Sequence, residues 1–451
     1  LCQEYIPLVD IPRRVSYIAV GEIPIGYMKK KSKIVVVGAG FGGIQLVKAL
    51  RNLPVEVLLI DRNNYHNFQP LMYQVATGGL EPDSIAYPVR RIFRNYKNVS
   101  CRMAEVEEVN PEACVLQTSI GELKYDFLIL ATGSKTNYLN FEPIKNQLLE
   151  LKTIPDALNI RSYVYQNLEK AIANYSGEPL EEIMNIAIVG GGPAGIEMAG
   201  ALAEMKRHVV PKDFPDLDTS KMSINLYQSG DRVLKGMSGE ASAKALTYLE
   251  HLGVNVKLHA RVARYEDDRV VLEDGTSFPT DTVLWSAGVR GAPIRGLPEE
   301  SQAGGNRIRV DQYNRVVGVN NIFAIGDVAA CITDATPEGH PMMAPVAQQQ
   351  GRHLAKNFKR LLRDQPLQSF EYRNKGVMAT VGRDRAVADL PHWKIQGGFA
   401  WFIWMLVHIW ALIGFRNKLS AVYSWAANYL SYDRPLGLII RPYNREMQRR
   451  Q

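Results

Sequence analysis

Short apolar runs punctuate the chain from Lys33 onward, and each reads as a strand buried on both faces. The first covers residues 34–37, four β-branched side chains that stop at Gly38. The next, 55–60, stops at Asp61. Residues 99–116 and 122–125 read as short strands of a meander, and 126–133 (D-F-L-I-L-A-T-G) is again a buried run ending in small residues. Helical spacing follows over 154–175. Then the order repeats: 185–189 stops at Gly190, 223–227 stops at Gln228, and 282–288 (T-V-L-W-S-A-G) echoes the earlier A-T-G run. Glu273-Asp274-Gly275-Thr276 marks a hairpin turn, and 321–327 is a last buried run ending in Asp327. This duplication predicts an α/β chain of two similar halves, the second inserted in the first.

What ends the first strand of each half suggests its chemistry. Gly38-Ala39-Gly40-Phe41-Gly42-Gly43 contains G-x-G-x-x-G between a strand and a helical pattern. Gly38 turns the chain, Gly40 lets a pyrophosphate approach the backbone, and Gly43 permits close helix packing. The helix N-terminus offers free N–H groups to the phosphates, and Asp61 is placed for ribose hydroxyls. The second half repeats the pattern with Gly190, Gly192, Pro193 and Gly195, but has Gln228 where the first has Asp61. Two Rossmann-like dinucleotide sites facing one another are expected. Residues 62–79, from Arg62 through Thr77 to Gly79, mix aromatics, Gln and Gly without a helical period and could wall a planar ring.

Composition narrows the partners. The 451 residues, 46% apolar and 22% charged, suit about three globular domains. A net charge of +7 is mild, and no nucleic-acid motif accompanies it. Cys2, Cys101, Cys114 and Cys331 form no C-x-x-C pair, so neither a redox dithiol nor a zinc site is expected. The expected boundaries are 1–28, an extension of unclear role; 29–153 and 318–385, the two parts of the first half; 154–317, the second; and 386–451, a C-terminal module. Residues 1–27 lack the three regions of a secretory signal, and Met28-Lys29-Lys30-Lys31 looks like a natural start.

The C-terminal module is aromatic. From Phe399 to Phe415 the chain is apolar for 17 residues with three tryptophans, interrupted by His408. That is short for a span, which needs about 20 residues. Arg416 and Lys418 follow, then a second aromatic stretch to Tyr432 and a basic tail with Arg441, Arg445, Arg449 and Arg450. The pattern predicts an interfacial seat on a membrane through Phe399–Tyr432. A buried core helix or a dimer interface are the alternatives.

Together these motifs resemble the two-dinucleotide-binding-domain flavoproteins, and within them the type II, non-proton-pumping NADH:quinone oxidoreductases. The shared stretches are V-V-V-G-A-G-F-G-G, F-Q-P-L-M-Y-Q-V-A-T-G, Y-D-F-L-I-L-A-T-G-S, A-I-V-G-G-G-P-A-G-I-E, V-L-W-S-A-G-V, F-A-I-G-D and L-V-H-I-W-A-L-I-G-F-R-N-K-L. The last looks like that family's membrane-anchoring segment.

The resemblance implies non-covalent FAD in the first half, at Gly38, Gly40, Phe41, Gly43, Asp61, Arg62, Thr77, Ala131, Thr132 and Gly133, with Gly326 and Asp327 near the ribityl chain. It places NADH at Gly190, Gly192, Pro193, Gly195, Gln228, Ala287 and Gly288; Gln228, uncharged where relatives carry a glutamate, repels no 2′-phosphate and makes NADPH usable as well. Glu197 matches a glutamate near the nicotinamide–flavin contact, and Ala347 would approach the flavin through its backbone. In A-P-V-A-Q-Q-Q-G, Pro345, Val346, Gln348 and Gln349 would form the quinone segment, with Pro345 replacing the family's first glutamine and Gln349 holding the second. The expected activity is ping-pong transfer from NADH through FAD to a membrane quinone, with a homodimer and the bacterial cytoplasmic face as the expected assembly and location. The rivals are a sulfide:quinone oxidoreductase, which needs cysteines beside the flavin, and a nicotinamide-sensing flavoprotein like apoptosis-inducing factor.

Overall fold

The computed structural model describes residues 31–173, 177, 179–334, 336–431, 437–439 and 442–443. The expected extension at 1–28 and the basic tail beyond Tyr443 lie outside them. The first half opens with β1 (Lys33–Val37), α1 (Phe41–Ala49), β2 (Glu56–Asp61), α2 (Met72–Ala76), β3 (Val99–Met103) and β4 (Phe127–Leu130). The second supplies β5 (Leu149–Glu150), α3 (Ile154–Ala173), β6 (Ile186–Val189), α4 (Pro193–His208), β7 (Ile224–Tyr227), α5 (Gly239–Leu252), β8 (Val254–Lys257) and β9 (Thr282–Trp285). The chain then returns with β10 (Ile322–Ala324) and α6 (Ala344–Leu361).

Two parallel five-stranded sheets result, ordered β10-β4-β1-β2-β3 and β5-β9-β6-β7-β8. The register is equivalent: Val37 pairs with Ile60 and Leu130, and Val189 with Tyr227 and Trp285. β10, which follows the whole second half in sequence, lies at the edge of the first sheet beside β4, which precedes it. That is the topology of an insertion. Each half also carries a three-stranded antiparallel sheet, at 106–124 and 262–279.

Residues 72–76 are helical, although no 3.6-residue period is visible there. Met72, Tyr73, Val75 and Ala76 are all buried, and a helix wrapped by protein has no polar face to betray it.

The C-terminal module has an antiparallel sheet of β11 (Val377–Thr380), β12 (Ala386–Asp389) and β13 (Lys394–Gln396), then α7 (Gly397–Ala411) and α8 (Phe415–Ser431). The apolar run is therefore broken rather than continuous. Gly414 has φ +90°, and a Cβ there would lie 2.2 Å from the Tyr87 ring. Ala400 and Trp404 bury one face of α7, while Phe402, Leu406 and Trp410 stay exposed. Asn417 pins α8 by donating to the carbonyls of Asp83 and Ala86 at 2.8 and 2.9 Å. Among the described residues, no helix is long and apolar enough to cross a membrane.

Candidate functional site: one cavity joining two glycine turns and the C-terminal helices

The strands of both halves present their C-terminal ends to a single cavity of about 1890 Å³. That exceeds the roughly 300–1,000 Å³ of an ordinary small-molecule pocket, so it has room for more than one large ligand. In the first half, Gly38 has φ +109°, and a Cβ there would sit 2.2 Å from the Ala131 carbonyl oxygen. A Cβ on Gly43 would sit 2.0 Å from the Gly38 carbonyl oxygen, so the helix packs directly on the turn. A Cβ on Gly40 would meet no atom within 4 Å; that side faces the cavity, at the uncapped start of α1. The second half copies this. Cβ atoms on Gly190 and Gly195 would lie 2.6 and 2.0 Å from the carbonyl oxygens of Ser286 and Gly190, and one on Gly192 would meet nothing.

The strand-end residues copy one another too. Asp61 Oδ2 accepts from the Ala39 N–H at 2.7 Å, and Gln228 Oε1 accepts from the Gly191 N–H at 2.9 Å. Burial raises the Asp61 carboxyl above its ordinary value, against the opposing pull of the Ala39 and Asn63 N–H groups and the Arg62 charge. Arg232 donates to the Lys235 carbonyl at 3.1 Å and is not on the cavity wall, as a solvated loop arginine would be.

Phe41, Arg62, Ala131, Thr132, Gly133, Pro193, Glu197, Ala287, Gly288, Gly326, Asp327, Pro345, Ala347 and Gln348 all line the cavity. Gly43 and Gly195 lie behind the wall, in packing positions. Three expected residues stand elsewhere. Thr77 is buried in a smaller neighbouring pocket, donating its hydroxyl to the Tyr73 carbonyl at 3.0 Å. Val346 is buried off the wall. Gln349 is likewise off the wall: its amide donates to the Arg373 carbonyl at 2.9 Å and accepts from the Arg373 N–H at 3.1 Å. The amide that faces the cavity is that of Gln348.

Glu197 lies on α4, on the cavity wall but otherwise ringed by protein. Removal from bulk water pushes its carboxyl up to about 8, partly countered by the Thr380 N–H. Near it, the Tyr73 hydroxyl bonds the Thr380 hydroxyl at 3.0 Å and accepts from Gln74 Nε2 at 2.9 Å; Trp425 of α8 donates to Gln74 Oε1 at 2.6 Å. The C-terminal module is thus wired to the wall beside Glu197.

Further side-chain contacts support the wall. Lys152 Nζ donates to Ser134 Oγ at 2.9 Å, and Ser134 donates to Asp327 Oδ2 at 2.6 Å. Burial lowers the Lys152 ammonium while Asp327 and Glu150 support it. Gln350 holds the Gly326 turn by accepting its N–H at 2.7 Å. Among the described residues no cysteine lines the cavity; Cys331 is buried and donates weakly to the Asp311 carbonyl at 3.5 Å. A sulfide:quinone oxidoreductase, expected to place cysteines beside the flavin, is therefore the weaker fit.

Comparison with known proteins agrees. Residues 32–351 match the pyridine nucleotide-disulphide oxidoreductases, the class defined by two such facing sheets and cradles, and residues 374–432 match the NDH2 C-terminal domain. The type II NADH:quinone oxidoreductase Ndh of Mycobacterium tuberculosis is 32% identical over 431 residues, covering 91% of each chain. The chain belongs to the type II NADH:quinone oxidoreductase family. In fold it is similar to the structure of NDH2 from Plasmodium falciparum in complex with NADH, with a TM-score of 0.82 and 22% identity over 91% of this chain and all of that one. The sulfide:quinone oxidoreductase of Aquifex aeolicus is less similar, at a TM-score of 0.66 and 18% identity over 91% of this chain and 96% of the other.

Proposed function

We propose that the chain oxidises NADH and passes the electrons through non-covalently bound FAD to a quinone drawn from the membrane, without moving protons across it. The observation that carries this reading is one cavity that joins two duplicated glycine turns to an apolar helix whose Leu406, Val407 and Trp410 are also surface-exposed. Bound flavin would supply the two-electron chemistry, accepting from nicotinamide and delivering to quinone. The residues present fit it. The open side of Gly40 and the free N–H groups of α1 suit a pyrophosphate, Asp61 the ribose, and the Lys152–Ser134–Asp327 chain a polar wall beside the ribityl positions. No cysteine, histidine or tyrosine is placed by any motif for covalent attachment.

In the second half, Gly190, Gly192, Pro193, Gln228, Ala287 and Gly288 would hold the nicotinamide nucleotide. Gln228 uses its oxygen on Gly191, leaving Nε2 for the ribose and no charge to repel a 2′-phosphate, so that NADPH is usable beside NADH. Glu197, neutral below about pH 8, keeps an uncompensated charge out of the cavity wall at physiological pH. Pro345 and Gln348 would face the quinone, with Gln348 the hydrogen-bonding member. The exposed face of α7 and α8 would seat on the membrane surface, so that the quinone enters from lipid and not from water. The test is steady-state NADH oxidation by the purified, flavin-loaded protein with a short-chain quinone; turnover with NADH that needs no quinone, or none with any quinone, contradicts the reading.

A further inference from the structure

The arm of the cavity against α7 is walled by Leu406, Val407, Ile409 and Trp410, and His408 brings an imidazole into this apolar setting. Its Nδ1 lies 2.7 Å from the Trp404 carbonyl oxygen one turn back. A carbonyl only accepts, so Nδ1 carries the proton and Nε2 is left as a lone-pair acceptor. The ring is held on both sides. It stacks on Trp404 with centroids 4.1 Å apart and meets Phe68 edge-on at 6.1 Å; Phe68 in turn packs against Phe41 at the first glycine turn. Burial pushes the imidazole down to about 4, so it stays neutral at physiological pH. Among the described residues Nε2 has no hydrogen-bond partner.

An acceptor in an apolar arm has little to offer a quinone, whose oxygens are acceptors themselves. A quinol is different, because each of its hydroxyls needs an acceptor when removed from water. We infer that His408 Nε2 accepts a hydrogen bond from a hydroxyl of the quinol in this arm, and so favours the reduced ring over the oxidised one. No bond is made or broken at the imidazole. NADH and one proton from solvent would together supply the two electrons and two protons that turn the quinone into the quinol, and His408 would hold one of the hydroxyls that result. This inference rests on the quinone-reductase reading above.

The experiment is an anaerobic calorimetric titration of the full-length, flavin-loaded protein with ubiquinol carrying one isoprene unit, and separately with the matching ubiquinone. His408→Phe keeps the ring face against Trp404 but has no acceptor. His408→Asn keeps a donor for the Trp404 carbonyl but falls short of the Nε2 position. His408→Gln restores an acceptor near it. Quinol binding should weaken about two- to tenfold in both His408→Phe and His408→Asn, the scale of one hydrogen bond, and return to within about twofold of wild type in His408→Gln. Quinone affinity should move by less than about twofold throughout. Unchanged quinol affinity in His408→Phe or His408→Asn overturns the inference, as does equal weakening in all three, which would mean that ring shape alone matters. A wild-type protein that binds neither ring overturns the quinone-reductase reading instead.

Discussion

Replacing Glu197 by Gln should stabilise the protein, and increasingly so as the pH rises. The carboxyl has an ordinary value of 4.5 and sits at about 8 in the fold, because burial disfavours the carboxylate. With the folded value raised, the folded state binds the extra proton between these limits. Stability is therefore greatest below pH 4.5 and declines as the pH climbs to about 8. At about 1.36 kcal/mol per pH unit, the cost of keeping the group neutral is at most about 1 kcal/mol at pH 5, about 3 at pH 7 and about 5 above pH 8. Water in the cavity lowers these figures. Gln carries no such cost and still accepts from the Thr380 N–H through its carbonyl oxygen. The assay is thermal unfolding of wild type and Glu197→Gln at pH 5, 7 and 9, followed by flavin fluorescence. The gap between the two should widen monotonically with pH, by a few degrees overall for a chain of this size. A constant gap, or one that narrows, would show that Glu197 is ionised in the folded protein.

Further outcomes follow from the geometry. Gly43→Ala should yield protein without FAD, since its Cβ would lie 2.0 Å from the Gly38 carbonyl oxygen, whereas Gly40→Ala, with no protein atom within 4 Å, should fold normally and lose FAD affinity alone; absorbance and circular dichroism separate the two. Trp410→Ser, at a side chain 81% exposed, should weaken sedimentation with liposomes roughly tenfold or more without changing the melting temperature, from about 1.5–3 kcal/mol for burying a large apolar side chain. Gln228→Glu should lower the NADPH/NADH ratio of kcat/KM by about a decade, from ~1–4 kcal/mol of charge repulsion; an unchanged ratio would show that coenzyme is read elsewhere.

The features legible in the sequence are those with a strict local requirement. Gly38 and Gly190 stand where a Cβ would strike the backbone just past the neighbouring strand, so the glycine pattern between strand and helix marks the turns. The duplicated order of strands likewise dictated two sheets and an insertion. Within the expected quinone segment, Gln349 stands off the cavity wall for a geometric reason. On α6, Pro345, Gln348 and Arg352 lie three and four residues apart, on the stripe that faces the cavity, while Gln349 is turned about 100° away and closes on Arg373. Aligned motif letters do not say which face of a helix is inward. The contacts of Lys152, Ser134 and Gln350 were illegible for a different reason: each reaches a partner distant in sequence, and nothing in the intervening residues announces it.

The central claim, electron flow from NADH through a bound flavin to quinone, is tested most directly by the flavin's own spectrum. Purified holoprotein is mixed anaerobically with one equivalent of NADH, and then with a short-chain quinone. The account predicts that the yellow absorbance bleaches on the first addition and returns on the second, with one quinol formed per NADH consumed. A flavin that NADH does not bleach, or that stays bleached in the presence of quinone, would contradict it.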